Sequence, residues 1–201
     1  MNVSLPLLYL PPIGYYVYLL GKDEPKFNLI ENFKKKTFHN RCEILSSGGI
    51  QNLIVPVLHN GFKTMAEVEI SYAEPWVLGH QKSLNSAYRS SAFFEHYKDE
   101  LFAILDTKPK KLHQLNLELH RWLWKSLEMD SIFLSPEVLK QTQLNPNWLE
   151  VKSARENNFP KYFQVFFDKF EFIANLSALD LLFNLGPESI LYLKKTSELQ
   201  L

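Results

Sequence analysis

Hydrophobic and polar residues follow two periods along this chain, and the change falls just after Tyr72. Before it, short apolar runs bounded by Gly and Pro predict strands. Leu5 to Leu10, apolar on both faces, reads as a central strand. Pro11-Pro12 suits a helix start, where missing backbone donors cost nothing, so Ile13 to Leu20 is the predicted helix, with Gly21 its stop. Pro25 to Asn32 predicts another strand. Residues 37–61 read as a hairpin around Ser46-Ser47-Gly48-Gly49, because Gly-Gly takes the positive φ angles of a tight turn. Ala66 to Ile70 alternates with period two, as a half-buried strand does.

Beyond Tyr72 the spacing becomes helical over Pro75 to Ser90, Phe93 to Leu105 and Lys111 to Met129. In the last of these, Leu112, Leu115, Leu119 and Trp122 share one face. Ile132 to Leu134 predicts a short strand, Gln141 to Pro160 an irregular surface loop, and Tyr162 to Phe167 is aromatic and β-prone. Leu176 to Leu185 predicts a helix stopped by Gly186-Pro187, with one further helix over Ser189 to Lys195. No repeat or linker divides the chain. The expectation is a mixed α/β fold in a single domain over residues 1–201, with a sheet-rich N-terminal part containing the hairpin and several helices packed on the sheet.

Composition narrows the function. Apolar residues at 46% and charged residues at 22% are globular proportions that argue against disorder. Lysine plus arginine equals aspartate plus glutamate, 22 against 22, so the chain lacks the basic field that nucleic acid requires. Lys34-Lys35-Lys36 is the only obvious positive run and reads as a solvated loop or strand end. Cys42, the sole cysteine, excludes an intramolecular disulfide and reads as a small buried apolar residue. Pro6, Pro11, Pro12 and Gly14 interrupt the apolar N-terminus, which has no basic leader; neither a signal peptide nor a membrane span is expected, and the default is a cytoplasmic protein. Phosphate-loop, dinucleotide, zinc-helix and nucleophile-elbow signatures are missing, and the six histidines form no i,i+4 pair, so no metal or cofactor is expected.

Two groups of polar residues stand out. Trp76, His80, Leu84 and Tyr88 recur every four residues and form one inclined row on a helix. That row is either a core stripe with a satisfied histidine or the wall of a cleft. In the second case His80 supplies proton transfer, Tyr88 a hydroxyl donor, and Ser90 and Ser91 polar groups near the mouth. In the predicted hairpin, Asn40 shares a face with Cys42 and Ile44, while Arg41 takes the other face. Arg41 offers a planar fork of donors for carboxylate or phosphate, as a ligand clamp or as the internal partner of Asp180. Pro56 cannot donate to a ladder, so its strand is expected at an edge or a bulge.

Taken in order, YLPPIGYY (9–16), FHNRCEI (38–44), LIVPV (53–57), the row from Trp76 to Tyr88, SSAFFEHY (90–97) and LSALDLLFNLGPESILYL (176–193) resemble the WbqC-like family, closest to its Bacteroidetes-type branch. Asn40, Arg41, Pro56, His80, Tyr88, Ser177 and Asp180 match the family pattern, whereas Pro6-Leu7 replaces its Gln-Pro and His39 an arginine or similar residue. The resemblance implies a small-molecule transferase, of glycine, aminoacyl or related acyl groups, in surface polysaccharide (O-antigen) or cell-envelope biosynthesis. Its substrate would be of sugar-nucleotide or aminoacyl type. On this reading His80 is a general base, Asp180 orients His80 or Arg41, and Asn40, Arg41, Tyr88 and Ser90 bind substrate. The alternative is a non-catalytic binding or assembly protein whose polar residues are structural.

Overall fold

The hairpin forms where turn chemistry and β-branched residues place it. The computed structural model describes residues 4–20, 26–129 and 158–199. In it, strand β3 (Arg41–Ser46) pairs antiparallel with β4 (Gly49–Ile54), in a register that sets Arg41 against Ile54 and Cys42 against Leu53. Gly49 takes φ +101° at the turn, and Ser46 Oγ donates to its carbonyl at 2.9 Å. The remaining sheet is a two-residue parallel pair, β1 (Ser4–Leu5) with β2 (Lys26–Phe27).

The helices are α1 (Ile13–Leu19), α2 (Trp76–Tyr88), α3 (Phe94–Asp106), α4 (Leu112–Ser126), α5 (Phe167–Phe170), α6 (Ala178–Leu185) and α7 (Ser189–Leu199); all follow the pattern within a few residues except α5, a single turn where the aromatic run suggested β structure. The fold is thus mixed α and β. Helices α2 and α6 pack on β3, and α1 packs against α6 and α7. One contiguous cluster of buried apolar side chains runs from Leu5 to Leu193. Ser177 caps α6 by accepting from the Leu179 amide at 3.3 Å, and it donates to the Leu10 carbonyl at 2.9 Å. Its own amide reaches the Glu43 carbonyl at 2.9 Å, so one residue ties α6 to β3 and to the N-terminal segment.

Several expected strands are absent for a common reason: the backbone groups are satisfied by side chains or by scattered partners. Leu7 to Leu10 are fully buried but irregular. The Leu7 carbonyl accepts from Asn116 Nδ2 at 3.3 Å, the Tyr9 amide donates to Phe38 at 2.8 Å, and Leu10 sits at φ +42°. Past Phe27 the Asn28 amide still reaches the Leu5 carbonyl at 2.9 Å, residues 29–32 make only single contacts to 64–66, and 66–70 contributes isolated bridges rather than a strand. At 162–166 the Gln164 side chain substitutes for a ladder, accepting from the Ile173 amide at 2.9 Å and donating to its carbonyl at 3.0 Å. Gly186-Pro187 ends α6 at Leu185 as expected, and a 3₁₀ turn (Gly186–Glu188) leads from it into α7. Gly186 is at φ +53°, and a β-carbon there would fall 2.5 Å from the Phe93 ring, so only glycine fits. The strand expected at 132–134 and most of the loop expected at 141–160 lie outside the described residues.

Candidate functional site

The interruption at Pro56 is a change of partner. The β3–β4 ladder ends with the Val55 amide donating to the Asn40 carbonyl at 2.8 Å. Asn40 returns the bond with its side chain, Nδ2 to the Val55 carbonyl at 2.9 Å, in place of a backbone amide. After the proline the chain pairs elsewhere: Ser71 donates to the Pro56 carbonyl and Leu58 to the Glu69 carbonyl, both at 2.9 Å. A residue without an amide donor suits the point where one ladder stops and another begins.

His80 closes the same edge. Its Nε2 lies 3.1 Å from the Ile54 carbonyl and its Nδ1 2.9 Å from the Tyr9 hydroxyl. A carbonyl only accepts, so Nε2 carries the proton and Nδ1 accepts from Tyr9. The ring is 6% exposed and packs edge-on against Trp76. Burial lowers its pKa to about 4, against a weaker opposing effect of the Ile54 carbonyl. His80 is therefore a neutral imidazole with both nitrogens engaged. Of the two readings of the helical row, the geometry fits the core stripe.

Asn40 and His80 thus bond to the Val55 and Ile54 carbonyls, next to the ladder position where Arg41 pairs with Ile54. Arg41 stands across the ladder from Ile54, on the sheet face that carries the exposed residues Ile50, Asn52 and Ile54. Cys42, Ile44 and Leu53 fill the opposite, buried face. Of the two readings of Arg41, the pair with Asp180 does not form. Instead Asp180 accepts from the hydroxyls of Tyr88 at 3.0 Å and Tyr162 at 2.5 Å, and from Gln164 Nε2 at 2.8 Å. Three neutral donors have taken the place of the cation. Burial raises the Asp180 pKa against the pull of those donors, and burial together with the Asp180 charge pushes both tyrosines well above their ordinary value. Arg41 Nε and Asn40 Oδ1 are buried atoms with no hydrogen-bond partner among the described residues.

Tyr88 lies eight residues beyond His80 on α2, about 12 Å along the helix, so the Asp180 cluster and the Ile54 edge are separate. Ser90 is exposed in the turn after α2; it is Ser91 whose hydroxyl bonds back to the Tyr88 carbonyl, at 2.7 Å. Cys42 is buried, and burial followed by the nearby Glu43 raises its pKa. Among the described residues, no group of three or more His, Cys, Asp or Glu stands where it could hold a metal ion, and no helix is long and apolar enough to cross a membrane. Sequence reasoning missed Tyr9, Tyr162 and Gln164. The last carried a signal, as a lone amide within the aromatic run Tyr162 to Phe167.

Comparison with known proteins adds one finding. The family model described as the WbqC-like protein family matches residues 8–151. No curated protein and no solved structure matches the chain.

Proposed function

The chain belongs to the WbqC-like protein family, and on that footing we propose that it is a cytoplasmic small-molecule transferase that holds an anionic, activated donor on Arg41. The donor is of sugar-nucleotide or aminoacyl type, and the pathway is surface polysaccharide or cell-envelope biosynthesis. One observation carries the reading: Arg41 sits on the more open face of the hairpin with its Nε buried and without a partner among the described residues, while Asp180, its candidate internal partner, is occupied by Tyr88, Tyr162 and Gln164. A guanidinium without a carboxylate offers two parallel donors to a phosphate or carboxylate. Asn40 and His80 occupy the Val55 and Ile54 carbonyls and so fix the platform under it. In this reading catalysis works mainly by positioning. His80, neutral and bonded at both nitrogens, serves as a positioning residue rather than as the general base, and Asp180 anchors α2 to α6.

A non-catalytic binding protein is the second reading, and the full engagement of His80 and Asp180 favours it. Mass spectrometry of small molecules released on denaturing the purified protein tests the shared claim. The wild type should release a phosphate- or carboxylate-bearing compound that Arg41→Ala lacks. Release of the same compound by both proteins would remove Arg41 from the site. Turnover of that compound with an amine or hydroxyl acceptor then separates transferase from binding protein.

A further inference from the structure

A second basic position lies apart from Arg41, in a cleft between the turn at 33–35 and the loop at 57–62. Lys35, from the triple-lysine run, brings its Nζ within hydrogen-bonding distance of His59 Nδ1. An ammonium only donates, so the His59 proton sits on Nε2 and remains available as a donor, beside the other Lys35 N–H groups. No carboxylate lines the cleft. The nearest acids in sequence are committed elsewhere: Glu67 accepts from the Lys63 and Thr64 amides at 3.0 Å, Glu69 pairs with Lys110 and Lys111 at 3.2 and 3.1 Å, and Glu31 faces His39 at 3.3 Å.

Phe33 and Phe62 form aromatic walls beside these donors. Each is braced from outside the cleft. Phe33 stacks on buried His39 with centroids 5.7 Å apart, and Lys111 Nζ lies 5.5 Å over the Phe62 ring. Braced rings lose little freedom when a flat partner packs on them. The cleft holds about 170 Å³ and is open on one side, enough to seat a phosphate with part of one ring while the rest of the ring extends into solvent.

We propose that this cleft binds a small phosphorylated ring compound, with the phosphate held by Lys35 and His59 and the ring against Phe33 and Phe62. The site is independent of the Arg41 reading. Titration calorimetry of the full chain with glucose 1-phosphate, inorganic phosphate and glucose tests it. Glucose 1-phosphate should bind saturably, at least tenfold more tightly than either other probe. Lys35→Met and His59→Gln, both changes at exposed side chains, should each weaken it at least tenfold, while Lys125→Met, at an exposed lysine outside the cleft, leaves it unchanged. Absence of saturable binding, equal binding of inorganic phosphate, or a loss that follows Arg41→Ala and not Lys35→Met would overturn the proposal.

Discussion

The Tyr88 hydroxyl donates to Asp180 Oδ1 at 3.0 Å, across 92 residues of sequence, and so joins the end of α2 to the first turn of α6. With Tyr162 and Gln164 on the second oxygen, the carboxyl group is an internal acceptor rather than a counter-ion. Asp180→Ala leaves three buried donors without an acceptor, at about 1–3 kcal/mol each. The expected loss is at least ~3 kcal/mol in urea unfolding, with a smaller loss for Asp180→Asn, which keeps one acceptor. A variant of unchanged stability but no activity would instead place Asp180 in the chemistry.

Acid should loosen the fold through His80. Its pKa falls from an ordinary 6.5 to about 4 in the folded protein because burial disfavours the charged ring. A folded value below the unfolded one means full stability above pH 6.5, with loss as pH drops toward 4. The loss amounts to about 3 kcal/mol for this group. His120, lowered to about 3 by burial, acts in the same direction and extends the loss to lower pH. Urea midpoints between pH 7.5 and 4.5 should fall steeply for the wild type and less so for His80→Gln. Equal slopes in the two proteins would contradict the assignment of a neutral, buried imidazole.

These predictions rest on features that differ in how far the sequence shows them. Helices α2, α3 and α4 were legible because each is long and its apolar positions keep one face. The hairpin was legible because Gly48-Gly49 sits between aliphatic runs. Leu7 to Leu10 misled because apolar content alone marks burial, not pairing, and their partners lie far away at Phe38, Asn116 and Ser177. His80 and Asp180 were visible as polar residues in apolar helices. Their partners were not, since a buried tyrosine hydroxyl leaves no mark among nine tyrosines.

Cys42 should be chemically silent in the native protein. Its thiol is fully buried and held protonated by its surroundings, so the reactive thiolate is scarce and out of reach. Titration with Ellman's reagent should detect no thiol before unfolding and one afterwards, and Cys42→Ala should cost on the order of 1 kcal/mol. Rapid modification of the folded protein with loss of activity would instead point to a nucleophilic role for Cys42.

The central claim, that Arg41 is kept for a ligand and not for an internal carboxylate, is tested most directly by equilibrium urea unfolding of Arg41→Ala without ligand. With Asp180 satisfied by neutral donors, and Arg41 Nε without a partner among the described residues, the change removes no ion pair among those residues. The expected loss of stability is below ~1 kcal/mol. A loss of about 3–5 kcal/mol, the signature of a buried ion pair broken on one side, would contradict it.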